Sequence, residues 1–310
     1  MVKFGFIGGT NRGYKLINAL FGKELFPEFA MILKEDDHEK IKYDEKISDM
    51  FNEKNIPNFI KKKLGKSDYD LIKDSNVDVI VLYGWRTLID TRISSCIKYG
   101  IIAAHQSLLP KYRGFAPVQW VIINNEKETG VTLFQIAEGE VDNGKIISQA
   151  KVEIDPNEHG IELDDKLIEI TIEHFFKVLE NIEKGELILV EQDETKATYA
   201  CKRIPDDGLI NWNKSTGEIF NLIRALAYPF TGSFCRYGDD TYIVRKARIG
   251  DNNDKIYSGR IPGRVIKILS EGIEILTGDG SILIAEWENS KTGKVSCPSS
   301  EIKSLSVTFY

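Results

Sequence analysis

The sequence predicts a two-domain α/β protein: a Rossmann-like N-terminal domain followed by a smaller C-terminal OB-like β-barrel. Three observations predict it. Through the first two thirds of the chain, short apolar runs ending near glycine alternate with helically spaced segments, as in a parallel sheet wrapped by helices. Beyond residue 227 the texture changes to short strands separated by turns such as Thr277-Gly-Asp-Gly280, as in a small barrel. The length, 310 residues, accommodates two domains of roughly 100–200 residues each. The expected division is 1–190 for the first domain, 191–208 for a linker rich in charge and turns, and 209–310 for a helix plus the barrel.

Lys3-Phe-Gly-Phe-Ile7 reads as the first strand, ending at Gly8-Gly9, and Tyr14 to Leu20 as a helix with apolar positions three and four apart. This opening is like that of a nucleotide-binding domain, but a full GxGxxG is absent. The glycines are better read as letting the chain turn tightly beside a ligand or sheet edge. Phe29 to Leu33 is a second strand, and 34–46 a loop or exposed helix start. Val77-Asp-Val-Ile-Val-Leu-Tyr83 is the clearest central strand and runs into Gly84-Trp85-Arg86, where an α/β sheet presents its ligand crevice. Ile93 to Tyr99 is a short helix closed by Gly100, and Ile101 to Ala104 leads into His105. Pro117 to Asn124 is a helix with proline in its first turn. Gly130 to Ile136 and the start of 144–154 are strands, and Leu163 to Glu183 is a long helix. Ser215 to Ala227 is a helix capped by Ser215 or Thr216. Asp240–Ala247, Gly263–Leu269, Gly272–Leu276 and Ser281–Trp287 are the barrel strands.

Composition narrows the function. Hydrophobic residues at 42% and charged residues at 28% are ordinary for a globular protein. Four cysteines lack the spacing of a zinc site and are too sparse for a disulfide scaffold. The opening residues read as a strand rather than a signal peptide, and no uncharged apolar run reaches about 18 residues. A cytoplasmic protein without a membrane segment is the expectation. Residues 201–310 carry 15 Lys+Arg against 13 Asp+Glu, a net +2; the first 200 carry 26 against 34, a net −8. Neither half has the positive field of a nucleic-acid binder.

The chemistry concentrates in His105-Gln-Ser-Leu-Leu-Pro-Lys-Tyr-Arg-Gly114 and Gly139-Glu-Val-Asp-Asn-Gly144. His105 follows an apolar strand, and Asp142 opens an Asp-Asn-Gly turn that also lies past a strand. Taken alone, a histidine there caps a strand and an aspartate holds its own turn. Together, at the strand ends of an α/β sheet, they form a pair suited to proton transfer in acyl chemistry. Arg113 either holds the turn or meets a phosphate; the turn is favoured.

These residues resemble the folate-dependent formyltransferases, a family that includes methionyl-tRNA, glycinamide ribonucleotide and nucleotide-sugar enzymes. The family pattern is an Asn-x-His element, a Ser-Leu-Leu-Pro-x-x-Arg-Gly turn and a later Asp-x-Gly; His105, Ser107 to Pro110, Arg113-Gly114 and Asp142-Asn-Gly144 are similar to it. The resemblance extends through Ile204-Pro-Asp-Asp-Gly-Leu-Ile-Asn-Trp212 and Glu218 to Leu226, which look like the start of the family's C-terminal region.

The resemblance implies direct transfer of a formyl group from 10-formyltetrahydrofolate to an amine, with no metal and no covalent enzyme intermediate. Asp142 would accept or relay the amine proton and orient His105, and protonated His105 would stabilise the oxyanion. The folate site would be formed by Tyr83, Gly84, Trp85, Arg86 and Leu88 with Ala137 and Gly139. Thr10, Asn11, Arg12, Ser107 and Lys111 are the candidates for holding the acceptor. The preferred acceptor is a nucleotide-linked amino sugar, with a 4-amino-4,6-dideoxy sugar on dTDP or UDP as the model and O-antigen, lipopolysaccharide or capsule synthesis as the setting. The opening Gly8-Gly-Thr-Asn-Arg12 and the loop Tyr83-Gly-Trp85 resemble the sugar enzymes. Methionyl-tRNA is the alternative acceptor. The barrel can bind nucleic acid, form a homodimer or brace the first domain.

One position departs from the pattern: Ala103 stands where the family has asparagine. An alanine side chain donates no hydrogen bond to an oxyanion. Three readings stay open: an engineered slow variant, a donor supplied by a backbone N–H, water or another side chain, or a sugar-nucleotide binder that has lost catalysis.

Overall fold

The structure, a computed structural model, describes residues 2–37, 39, 41–139, 141–251 and 255–310. Its residues fall into two compact units. One comprises 1–114, 129–152 and 165–200; the other comprises 115–128, 153–164 and 201–310. The linear division expected from the sequence differs from this, because two short excursions, 115–128 and 153–164, group with the C-terminal residues. The expected linker also differs: 191–200 belongs to the first unit.

The first unit is built on a seven-stranded sheet in the order β3-β2-β1-β4-β5-β7-β8. Its strands are β1 (Phe4–Gly8), β2 (Ala30–Leu33), β3 (Asn58–Lys61), β4 (Val79–Tyr83), β5 (Ile101–His105), β7 (Glu128–Gln135) and β8 (Ile146–Glu153). A separate two-stranded pair joins β6 (Arg113–Gly114) to β9 (Tyr199–Ala200). The strands from β3 to β5 pair in parallel, and β7 runs antiparallel to β5. Every residue of β1 and β2 is buried. Such strands read as unbroken apolar runs because both faces are covered.

Alternation sorts the side chains onto two faces. Phe4, Phe6, Val79, Val81 and Ile102 share one cluster with Leu16, Ile17 and Leu20 of α1 (Thr10–Gly22) and Ile168, Phe175 and Val178 of α5 (Gly160–Lys184). Ile7, Met31, Ile80 and Ile101 pack on the other side with Ile72 of α3 (Lys66–Asp74). The edge strand β3 and the helix α2 (Asp44–Glu53) were not legible in the sequence, and β3 has no fully buried residue. The order of strands reverses between β1 and β4, so a crevice opens at their C-terminal ends.

The second unit holds α4 (Pro117–Ile123), α6 (Thr216–Ala225) and an antiparallel sheet. Its strands are β10 (Ser233–Tyr237), β11 (Asp240–Ile249), β12 (Val265–Leu269), β13 (Gly272–Leu276), β14 (Ser281–Asn289) and β15 (Val295–Ser296). The order is β10-β11-β14-β13-β12, with β15 on β14. Residues 307–310 join the two ends of this order. Val265 donates to the Val307 carbonyl, Phe309 to Gly263, and Arg236 and Tyr310 exchange a pair of hydrogen bonds. The sheet is thereby closed into the barrel that the sequence predicts. Trp287 fills its interior, stacked on Tyr242 at 4.1 Å. As expected, Ser215 caps α6: its hydroxyl accepts from the Glu218 N–H at 3.2 Å. Among the described residues, no helix is long and apolar enough to cross a membrane.

Candidate active site

His105 is the last residue of β5, 8% exposed, in register with Thr132 on β7. Its Nε2 lies 2.7 Å from the Tyr112 carbonyl, which only accepts, so Nε2 carries a hydrogen. Its Nδ1 lies 3.5 Å from Asp142 Oδ2. In the imidazolium form both ring N–H groups therefore have an acceptor.

The turn after His105 is tied to β7 and β8. The Ser107 hydroxyl donates to the Lys111 carbonyl at 2.6 Å, and Thr132 Oγ1 donates to the Ser107 carbonyl at 2.7 Å. Leu109 N–H donates to Thr132 Oγ1, and Gln149 donates to the Leu109 carbonyl. The Leu109–Pro110 bond is cis, and Tyr112 has a left-handed φ of 58°. That conformation turns the Tyr112 carbonyl onto His105. Gly114 has φ +100°, and a Cβ there would meet the Ala200 carbonyl oxygen at 2.7 Å, so the β6–β9 pair requires glycine.

Asp142 lies in the loop between β7 and β8 with φ 57°, which aspartate tolerates better than most L residues. Its Oδ2 accepts the Gly114 N–H at 2.8 Å. Its Oδ1 has no hydrogen-bond partner among the described residues, and the side chain as a whole is 15% exposed. Glu140 of the same loop lies outside the described residues.

Arg113 holds the turn rather than facing a phosphate. It is fully buried and donates to Gln192 Oε1 at 2.7 and 3.2 Å and to Glu194 at 2.6 and 2.8 Å. The Arg113 guanidinium holds the Glu194 carboxyl below the usual carboxylate range. Gln192 also donates to the carbonyls of Asp142 and Gly144, both at 2.7 Å. Sequence reasoning placed Gln192 and Glu194 in a linker. Only the pairing of Arg113 with residues some 80 positions away reveals them, and no local pattern signals it.

The other candidates are distributed unevenly. Ala103 lies two residues before His105 on the same face of β5, 3% exposed among Leu109, Phe134, Leu82, Ile136 and Ile146. Tyr83 ends β4 and Gly84 follows it, beside the end of β1: Gly9 N–H donates to the Tyr83 carbonyl, and a Cβ on Gly84 would meet the Gly9 oxygen at 2.1 Å and Thr10 Oγ1 at 2.9 Å. Thr10, Gly84 and the ends of β1 and β4 are thus brought together. Trp85 packs into the cluster around Ile7 and Ile93, with its Nε1 buried and without a partner among the described residues. Arg86 forms a bidentate pair with Glu39, and Leu88 is 81% exposed.

Ala137 borders a cavity of about 350 Å³ lined also by Ser94, Lys98 and Gln135. Gly139 has φ +117°. Asn11 turns its amide to Asp165 on α5, and the Arg12 N–H meets Thr10 Oγ1 at 3.4 Å. Ser107 is fully buried, with its hydroxyl used inside the turn, whereas Lys111 is exposed. Gln106, which was not singled out in the sequence, is 2% exposed, and neither polar atom of its amide has a partner among the described residues.

Comparison with known proteins gives the family. Residues 7–198 match the formyl transferase family and residues 203–300 the formyl transferase C-terminal domain. The methionyl-tRNA formyltransferase of Sulfurihydrogenibium sp. (strain YO3AOP1) is 36% identical over 242 residues, 76% of each chain. An N-formyltransferase from Helicobacter canadensis, solved with folinic acid and dTDP-3-aminofucose, superposes with a TM-score of 0.69 at 19% identity, covering 92% of this chain and 99% of that one. HypX from Aquifex aeolicus superposes with a TM-score of 0.64 at 17% identity over 96% of this chain, which spans about half (48%) of HypX. With both family regions matched in order and a relative at 36% identity, the chain belongs to the formyl transferase family.

Proposed function

We propose that this protein transfers a formyl group from 10-formyltetrahydrofolate to the amine of a nucleotide-linked amino sugar. The observation that carries the chemistry is the His105–Asp142 pair at 3.5 Å, whose Asp142 Oδ1 is not engaged by a hydrogen bond among the described residues. A cosubstrate rich in donors and acceptors fits the residues nearby. Gln106, beside His105, and Trp85, just past β4, bury polar atoms that have no partner among the described residues, and such atoms call for a ligand or water.

When bound, 10-formyltetrahydrofolate supplies the formyl carbon at the amide oxidation level, and the new N–C bond forms as the bond to N10 breaks. An acceptor amine is protonated in water near neutral pH and must lose a proton to attack. Asp142 Oδ1 takes that proton, while Oδ2 stays held by Gly114. His105 as imidazolium keeps Nε2–H on the Tyr112 carbonyl and Nδ1–H toward Asp142, so it holds the carboxylate in place and the amine proton stays on Asp142. Positive charge on the ring stabilises the oxyanion electrostatically, and the proton held on Asp142 passes to N10 as its bond to the formyl carbon breaks.

Two features support the sugar acceptor: the net −8 of residues 1–200, which disfavours a polyanion such as tRNA, and the polar Gly8-Gly-Thr-Asn-Arg12 junction between β1 and α1, whose Gly9 and Thr10 lie beside Gly84. The 36% identity to a methionyl-tRNA formyltransferase favours a second reading, with methionyl-tRNA as acceptor. The test is transfer to a panel of dTDP-, UDP- and GDP-linked amino sugars beside methionyl-tRNA. Turnover of a sugar nucleotide supports the first reading. Turnover only of methionyl-tRNA, weakening steeply with salt, replaces it by the second.

A further inference from the structure

We propose that Gln192 is the positioning residue of the His105–Asp142 pair, an inference that rests on the reading of that pair given above. The Gln192 side chain is 9% exposed and every polar atom of its amide is used. Its orientation follows from its partners. Arg113 only donates, so the atom facing it is Oε1; the carbonyls of Asp142 and Gly144 only accept, so the atom facing them is Nε2. The two N–H groups span the Asp142-Asn-Gly144 bend and hold Asp142 in its left-handed conformation. A second link returns to the same place, because Gly114, next to Arg113, donates its N–H to Asp142 Oδ2. Arg113, Gln192 and the Asp142 backbone thus form a closed circuit with Gly114 and the Asp142 carboxylate. That circuit sets the 3.5 Å approach to His105 Nδ1.

No other side chain of this size does both jobs. Glutamate in place of Gln192 would keep an acceptor for Arg113 and press a carboxylate against two carbonyls. Methionine would fill the volume and serve neither partner. The two substitutions therefore separate support of Arg113 from support of Asp142.

The experiment uses the full chain as Gln192→Glu and Gln192→Met, with three readouts: urea unfolding, the kcat and KM of formyl transfer, and hydrogen exchange of the Gly114 amide. For Gln192→Glu we expect an unfolding midpoint lowered less than in Gln192→Met, because an ion pair with Arg113 offsets part of the loss at the two carbonyls, a kcat lowered roughly 100-fold by misplacement of the carboxylate with little change in KM, and faster exchange at Gly114. For Gln192→Met we expect the same loss of rate and of Gly114 protection, with stability reduced further. Parent-like kcat and Gly114 protection in Gln192→Glu would overturn the proposal, as would a loss of rate that merely tracks the loss of stability in the two variants. If the parent transfers no formyl group to any acceptor, the reading of the site fails. Exchange at Gly114 then still decides whether Gln192 positions Asp142.

Discussion

Replacing Ala103 by asparagine should move rate and stability in opposite directions. Residue 103 shares a β5 face with His105 and is 3% exposed. Its neighbours are the apolar side chains of Leu82, Leu109, Phe134, Ile136 and Ile146. A carboxamide added there finds no side-chain partner among them, and burying such a group unpaired costs about 1–3 kcal/mol on the scale of protein mutations. In the reacting complex the same amide can donate to the oxyanion. One such donor is worth about 3–4 kcal/mol of barrier, roughly 100- to 1,000-fold in kcat.

Urea unfolding and initial rates of formyl transfer, measured for the parent and Ala103→Asn, test both halves. The expected outcome is a lower unfolding midpoint, partly restored by a bound folate, together with the gain in kcat. An unchanged kcat with a lowered midpoint would refute the argument, since the amide would then be buried without reaching the reacting oxygen. An unchanged kcat and midpoint would show that the site already supplies a donor.

Three further outcomes follow from the geometry. Asp142→Asn keeps an oxygen for the Gly114 N–H but cannot take a proton; kcat should fall by about 100- to 10,000-fold while the urea midpoint changes little. Arg113→Met leaves the Gln192 acceptor buried and unpaired, so unfolding free energy should fall by about 1–3 kcal/mol from that loss alone; the exposed Glu194 end of the pair adds little, and an undiminished midpoint would contradict the network. Glu218, held to about 2 chiefly by Lys214 and then by the Ser215 N–H and hydroxyl, lies below its ordinary value of 4.5. Its contribution is fully present above pH 4.5 and is lost as pH falls through about 2; acid unfolding of Glu218→Gln should lack that share of the pH dependence.

Much of the fold was legible because periodicity and burial agree. Val79–Tyr83 is a continuous apolar run because helices cover both faces. Ser215 and Glu218 announce α6 through a reciprocal cap. His105 and Asp142 were read together because each follows a strand, and the structure does bring them to 3.5 Å. But β7 runs antiparallel to β5, so the loop after β7 makes the approach rather than a convergence of parallel strand ends. The edge strand β3 was not: Asn58–Lys61 is only half covered and carries no alternation. Ser107 was expected to face an acceptor, yet its hydroxyl closes the turn on Lys111. Gln192 was hidden for a different reason. Its partners Arg113, Asp142 and Gly144 are distant in sequence, and a polar residue in a charged stretch has no periodic signal.

The interleaving of the two units has a consequence for how this protein could be inherited or rebuilt. Neither unit is one stretch of chain: the second takes 115–128 and 153–164 from between segments of the first. A cut near residue 200 would not yield two separable modules, because the amino-terminal piece would keep two segments whose partners had been removed. Recombination of acceptor specificity by exchanging a terminal half should therefore fail unless those two segments travel with it.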